Sequence, residues 1–198
     1  MTSPLCQHLQ ATLGDLPPDL QAQANGAHSQ TLANGEALLR AGDVWSHLFW
    51  VGRGSFRLCY LDRQGRAANK NFYLEGAMFW PITPALAQSP SQFWVEAMEP
   101  SQVWKLPWPS WQTAAQTFEP WQRLERQVLA RLLEDKMNRE QQFLQHTATE
   151  RYQALLSAHP DWALRVPLRH LASYLGITDV ALSRIRRRLK HAPPLNPG

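Results

Sequence analysis

The hydrophobic pattern of the chain changes its period near Pro107. Residues 1–30 are predicted to be helical or irregular. From about residue 36 to residue 106, short apolar and aromatic runs alternate with turn residues, which is typical of antiparallel strands. Beyond Pro107 the apolar residues recur every three to four positions, which is typical of helices that bury one face. The chain is therefore predicted to be an α+β protein, with an N-terminal β jelly roll followed by helices.

The longest helical segment follows Pro120, and no Gly or Pro interrupts residues 121–145. One apolar row along it holds Leu124, Val128 and Leu132. An adjoining row holds Leu129, Leu133, Met137 and Leu144. One row is enough to pack on the β domain, so the second favours a partner helix, although a single wide core face explains the same pattern.

The segment after Pro167 has the pattern of two helices joined by a tight turn. Gly176 can take the positive φ that ends the first helix, and Thr178 is a good N-cap for the second. The second helix, predicted at residues 178–190, has an apolar stripe on one face and arginines on the other. Such a pair is typical of a helix-turn-helix.

Positive charge is concentrated at the C-terminal end of the chain. Residues 165–198 hold seven of the 20 Lys and Arg residues but one of the 16 acidic residues. A basic terminal module favours a polyanionic partner, most often nucleic acid, although a solvated basic tail has the same composition. Because the charge coincides with the helix-turn-helix, double-stranded DNA is the predicted partner.

No constellation of residues indicates catalysis or metal binding. The seven histidines are scattered, and the two cysteines, Cys6 and Cys59, form no motif and fit a reducing cytoplasm. No nucleophile–base arrangement is visible, so we expect no enzymatic activity, metal or cofactor. No run of 18 apolar residues occurs, so we expect no membrane segment and a cytoplasmic location.

The order of these parts resembles the CRP/FNR family of bacterial transcription regulators. LASYLGITDVALSRIRRRL is similar to the family's DNA-binding segment without a gap, and GDVWSHLFWVGRGSFRLCYLDRQGRAANKNFYLEGAMF resembles its cyclic-nucleotide-binding-type domain. The resemblance, over about residues 30–190, implies a homodimer joined through helix 121–145 that reads palindromic DNA. It also allows an unknown small-molecule effector and RNA polymerase as partners. The implied domains are a jelly-roll sensor at 1–118, a dimerisation helix at 119–146 and a DNA-binding domain at 147–198.

The resemblance also implies which residues contact DNA. Arg184 matches the arginine that reads guanine, and its fork can donate to both O6 and N7. Asp179 and Val180 stand where the family reads bases, and Val180 replaces a common Glu, so the expected site sequence differs. Ser183 is expected to reach a base edge or a phosphate. Contacts to phosphates are expected from Thr178, Arg169, Arg187 and Arg188. The fold is expected to be winged-helix-like with a short or absent wing, because the tail HAPPLNPG contains three prolines.

The segment FWPITPALAQSPSQFW, which begins at Phe79, aligns with the cassette that binds the cyclic phosphate in family members. Phe79 is matched, but Trp80 and Pro81 replace a Gly and a Glu, and Ser91, followed by Gln92, replaces the phosphate-binding Arg. The chain is therefore predicted to belong to a subgroup that lacks the cassette and does not bind cyclic AMP. We expect Trp80 to fill the former nucleotide space. The alternative is a pocket for an apolar effector, lined by Phe79, Trp80, Ser91 and Gln92.

A second class of function stays open on the sequence. The chain could be a jelly-roll protein that binds a small molecule and acts through protein contacts of its C-terminal domain. The basic helix 178–190 favours DNA binding over this alternative.

Overall fold

The structure, a computed structural model, describes residues 2–191, except for the side chain of His191. Its strands are β1 (His28–Leu32), β2 (Ala37–Leu39), β3 (His47–Arg53), β4 (Phe56–Leu61), β5 (Ala67–Tyr73), β6 (Met78–Phe79), β7 (Trp94–Ala97) and β8 (Ser101–Pro107). Its helices are α1 (Pro4–Leu13), α2 (Pro18–Asn25), α3 (Pro84–Gln88), α4 (Trp108–Ala115), α5 (Glu119–Gln145), α6 (Ala148–Ala158), α7 (Pro160–Arg165), α8 (Leu168–Leu175) and α9 (Asp179–His191). This arrangement confirms the predicted α+β fold.

The strands form two antiparallel sheets that pack face to face. Their strand orders are β1-β8-β3-β6 and β2-β7-β4-β5. Alternate residues of each strand point into the space between the sheets, as Phe49 and Val51 of β3 and Phe56 and Leu58 of β4 do. Both sheets therefore contribute to one apolar core, the core of the predicted jelly roll.

Strand β1 was not expected, because residues 1–30 were predicted to be helical or irregular. Its sequence, HSQTL, has one strongly apolar residue, Leu32, which is buried, while His28 and Ser29 are exposed. The strand lies at the edge of its sheet and pairs with β8 alone. Strand β1 is therefore stabilised by backbone hydrogen bonds to β8 rather than by an alternating apolar pattern. Backbone pairing of this kind cannot be recognised in the sequence of the strand itself.

A second apolar core lies on the outer side of the first sheet. Helices α1, α2 and α4 and the beginning of α5 close over Leu48, Leu106 and Trp80. Two consecutive residues, Phe79 and Trp80, thus belong to different cores, because neighbouring residues of an extended chain point to opposite faces.

A third core joins the outer face of the second sheet to the C-terminal helices. Phe72 of β5 and Met98 pack with buried residues of α6 to α9, including Trp162, Leu171 and Leu182. The ring of Phe72 meets the ring of Trp162 edge to face, with centroids 5.0 Å apart. The C-terminal helices therefore lie directly against the sheet.

The long helix α5 has one covered and one uncovered apolar row. Leu124 and Val128 pack against the second core. Leu129, Leu133, Met137 and Leu144 are 49, 58, 61 and 78% exposed, respectively. Leu124 and Val128 of the first row therefore pack on the β domain, as predicted, whereas Leu132 belongs to none of the three cores, and the second row is uncovered in this single chain.

Two further expectations from the sequence concern a membrane segment and the wing. Between residues 2 and 191, no helix is long and apolar enough to cross a membrane. Residues 192–198, on which the expectation of a short or absent wing rests, lie outside the described residues.

Candidate functional site

The turn between α8 and α9 has the geometry that its residues predict. Gly176 has a φ of 69°, in the left-handed region that favours glycine. A Cβ atom at Gly176 would also lie 2.7 Å from the ring of Phe143, so a side chain there would displace this ring. The hydroxyl oxygen of Thr178 accepts a hydrogen bond from the Ala181 N–H at 3.2 Å and so caps α9. These features fix α9 relative to α8.

One face of α9 is buried and the opposite face is open. Leu182 and Ile185 belong to the third core. A shallow concavity of about 410 Å³ on the other side is lined by Asp179, Val180, Ser183, Arg184 and Arg187. All five residues are exposed, and Val180 is 60% exposed despite being apolar.

The structure thus brings together five of the eight residues predicted to bind DNA. Thr178 is exposed next to this group and also caps the helix. Arg188 is exposed on α9 but does not line the concavity, and Arg169 is exposed on α8. Within residues 2–191, Arg169, Arg184, Arg187 and Arg188 form no ion pair. The Nε of Arg169 lies 3.4 Å from Nε2 of His170, and the other guanidinium donors of these arginines are available to an anion.

The space between the two sheets is filled by aromatic rings. Phe79 stacks on Tyr73 with centroids 4.0 Å apart, and it also contacts Phe49 and Trp45. The ring of Phe93 meets that of Trp45 edge to face at 5.6 Å. Trp80, which is predicted to fill the former nucleotide space, does not enter the space between the sheets, because it packs in the second core, outside the sandwich.

The four residues of the alternative pocket, Phe79, Trp80, Ser91 and Gln92, do not share one core. Phe79 lies between the sheets and Trp80 outside them. The Ser91 hydroxyl is buried and already satisfied, since it donates to the Phe93 carbonyl at 2.9 Å and accepts from the Phe93 N–H at 3.2 Å. Gln92 is exposed. Ser91 and Gln92 lie in the loop before β7, beyond α3, while Phe79 ends β6.

Trp80 belongs to a cluster of four indoles at the beginning of α5. Its ring centroid lies 5.1 Å from that of Trp121 and 6.3 Å from that of Trp108, and Trp111 lies 5.3 Å from Trp121. Three of these indoles, Trp80, Trp108 and Trp111, have buried N–H groups without a hydrogen-bond partner among the residues described. Ring packing rather than hydrogen bonding therefore stabilises this cluster, which anchors α5 to the β domain.

A polar seam joins the second sheet to α8. The Arg57 guanidinium pairs with Glu96 at 2.6 Å, and its Nη1 lies 3.2 Å from Nδ1 of His170. The Asn69 side-chain amide donates to the His170 carbonyl at 3.2 Å, and the Asn69 N–H donates to the Ser173 hydroxyl at 3.1 Å. Burial, together with two nearby arginines, lowers the pKa of His170 to about 4, so the ring is neutral at pH 7 and can accept from Arg57.

The seam was not predicted from the sequence. The partners that join the sheet to α8 are 101 to 113 residues apart, as for Asn69 and Arg57 with His170. A pattern among neighbouring residues of the sequence cannot predict contacts between such distant residues. The one sequence signal was the charged residue Arg57 in β4, whose other side chains are apolar or aromatic.

Residues 29–118 match the family of cyclic nucleotide-binding domains. The structure is similar to that of FixK2 from Bradyrhizobium japonicum, with 23% identity, 83% of this chain and 84% of that chain covered, and a TM-score of 0.72. It is similar to a CooA mutant from Carboxydothermus hydrogenoformans, with 17% identity, 96 and 85% covered, and a TM-score of 0.71. It also resembles CLP from Xanthomonas campestris, a c-di-GMP responsive global regulator, with 16% identity, 84 and 90% covered, and a TM-score of 0.64. No curated protein sequence matches the chain. At these identities the likeness establishes the fold, from the β domain through the C-terminal helices.

Proposed function

We propose that the chain is a homodimeric transcription regulator of the CRP/FNR type that reads a palindromic DNA site with helix 178–190. The observation that carries this proposal is the open face of α9, where Ser183, Arg184 and Arg187 line a concavity. In the part of the chain that the structure describes, the two arginines form no ion pair. A helix buried on one side and cationic on the other suits the major groove of DNA. The proposed protein is a regulator rather than an enzyme, and it acts in the cytoplasm.

Base reading is assigned to the first two turns of α9. Arg184 can donate two hydrogen bonds to the O6 and N7 atoms of guanine. Asp179 can accept from the amino group of cytosine, and Val180 can contact the methyl group of thymine. Ser183 lies between Val180 and Arg184 on the concavity and can reach a base edge or a phosphate.

Positioning on the DNA backbone is assigned to residues at the margins of the concavity. Arg187 lines it one turn from Arg184, while Arg188, Thr178 and Arg169 are exposed nearby. Such contacts neutralise phosphates and carry affinity without sequence selectivity. They would orient α9 so that the first two turns reach the bases.

The proposed dimer forms through the uncovered row of α5, within residues 121–145. Leu129, Leu133 and Met137 each expose about half of their side chains or more, a pattern that a second copy of the same helix would cover. The helix has 27 residues and is ~40 Å long, comparable to one turn of DNA. The proposed domains are therefore the sensor at 1–118, the dimerisation helix at 119–146 and the DNA-binding domain at 147–198.

The proposed effector is unknown and is not cyclic AMP. Three positions of the phosphate cassette are changed, at Trp80, Pro81 and Ser91, and no arginine is left to neutralise a cyclic phosphate there. Phe79 and Phe93 also fill the space between the sheets. We therefore place the chain in a subgroup without the cassette, and RNA polymerase is the further partner that such a regulator would contact.

The test uses DNA selected from a random pool by the full-length wild-type chain. We expect a palindromic sequence to be enriched. Arg184→Ala should bind it ~1–3 kcal/mol more weakly and lose selectivity at one base pair of each half-site. Arg123→Ala is the matched control, because Arg123 is an exposed arginine of α5 paired with Glu119. If the wild-type chain enriched no DNA, the alternative of a jelly-roll protein acting through protein contacts would take precedence.

A further inference from the structure

The side chain of Arg139, on α5, reaches both the sensor sheet and the C-terminal helices. Its Nη1 donates to the Lys70 carbonyl at 3.2 Å, and its Nη2 donates to the Asn69 carbonyl at 3.2 Å. Nη2 also donates to the Tyr174 carbonyl, in the last turn of α8, at 2.9 Å. One guanidinium therefore joins α5, β5 and α8.

Arg139 has these partners without a counter-ion. Within residues 2–191, no carboxylate forms an ion pair with it. Its guanidinium carbon lies instead 4.1 Å from the centroid of the Tyr174 ring and 5.4 Å from that of Phe143. Burial lowers the pKa of Arg139. A cation held in this way is stabilised by carbonyl oxygens, by aromatic faces and by the negative end of α8.

One helical turn after Arg139, Phe143 of α5 packs against the residue that joins α8 to α9. The ring of Phe143 packs so closely on Gly176 that a Cβ atom there would be 2.7 Å away. Arg151 of α6 lies 4.9 Å above the same ring, and its Nε donates to the Leu175 carbonyl at 3.2 Å. The end of α8 is therefore held by α5 at two successive turns.

We propose that Arg139 is the positioning residue that fixes α9 relative to α5 and thereby sets the spacing of the two DNA half-sites. This inference rests on the proposed function. Since α8 and α9 are joined by the tight turn at Gly176, an α8 that is held by α5 carries α9 with it. In a dimer joined through α5, the same contact fixes the separation of the two reading helices, which must enter successive major grooves.

The experiment compares binding of the selected palindrome with binding of versions that have one or two base pairs inserted between the half-sites. Each inserted pair turns one half-site by roughly 34° about the DNA axis. We expect the wild-type chain to lose at least ~10-fold in affinity on insertion, because its reading helices cannot follow. Arg139→Ala should bind the original site ~10-fold more weakly than wild type and lose less than ~3-fold further on insertion.

Two further measurements separate positioning from a general loss of structure. Binding to a single half-site should be unchanged in Arg139→Ala, and Arg123→Ala should behave as wild type at every spacing. Arg139→Lys should be intermediate, because one ammonium group lacks the planar fork that reaches three carbonyls. If Arg139→Ala lost cooperative thermal unfolding, Phe143→Ala would take its place, since Phe143 is 43% exposed and contacts the same turn.

The inference is overturned if the folded variant keeps the spacing preference of the wild type, or loses affinity equally for all sites including the half-site. Failure of the proposed function has a different appearance, because the wild-type chain would then select no palindromic DNA. The two failures are therefore distinguishable in one set of titrations.

Discussion

Acidification should destabilise this protein through His170, a neutral imidazole in the seam between the second sheet and α8. The side chain is 7% exposed, and its Nδ1 lies 3.2 Å from Arg57 while its Nε2 lies 3.4 Å from the Nε of Arg169. The Asn69 amide faces it from β5, and Glu96 neutralises Arg57 from β7. A proton on His170 would place a third positive charge between two guanidinium groups.

The magnitude follows from the pKa of His170 in the two states. Burial and the two arginines lower this pKa to about 4 in the folded protein, whereas an unfolded histidine has a pKa of about 6.5. Above pH 6.5 both states are neutral, and His170 adds no pH dependence. As the pH falls from 6.5 to 4, the unfolded chain takes up the proton first, so the free energy of unfolding decreases, by about 2 kcal/mol at pH 5 and about 3 kcal/mol near pH 4.

The assay is urea unfolding of wild type and His170→Gln at pH 7.5 and pH 5, with free energies obtained by linear extrapolation. Glutamine can accept from Arg57 but does not titrate, and burial also lowers the pKa of His8, His47 and His159 in both proteins. Those contributions cancel when the variant's change with pH is subtracted from that of the wild type. We expect a remainder of about 2 kcal/mol. Equal pH dependence in the two proteins would refute the reasoning.

Three further predictions concern DNA, the dimer and the ligand. Arg187→Ala should reduce the slope of the logarithm of affinity against the logarithm of salt concentration by about 0.9, the value for one neutralised phosphate, and an unchanged slope would exclude a phosphate partner for Arg187. Leu133→Asp, on the uncovered row of α5, should give a monomer in sedimentation equilibrium, while Gln127→Asp, about a third of a turn away around the helix, should stay dimeric. Calorimetric titration with cyclic AMP should give no binding heat, and micromolar binding would contradict the filled core formed by Phe79 and Phe93.

The helix pair α8–α9 and the turn between them could be predicted closely because their signals are local. Gly176 and Thr178 act on residues within one turn of themselves, and each has the conformation or hydrogen bond that its residue type favours. The buried stripe of α9 likewise follows from a spacing of three and four residues, as Leu182 and Ile185 show. Such features depend little on the rest of the chain.

The interior of the β sandwich was harder to predict because the side to which a residue points depends on strand register. The sequence shows Phe79 and Trp80 as neighbours with large rings, and nothing local shows which one enters the sandwich. Pairing of β6 with β3, Phe49 opposite Phe79, decides it. A slip of one residue would exchange the two rings. The seam at His170 and the contacts of Arg139 depend in the same way on distant partners.

The filled interior of the jelly roll determines how such a domain could still respond to a small molecule. With Phe79, Tyr73, Phe93 and Trp45 in contact, a compound could bind between the sheets only in molecules whose rings had already moved apart. Its apparent dissociation constant would be the intrinsic one divided by the populated fraction of that open state, so an open state of ~1% would weaken binding ~100-fold. Substitutions that loosen the ring stack would raise the open fraction and so lower the apparent dissociation constant without any new contact to the compound, and substitutions that tighten the stack would do the opposite.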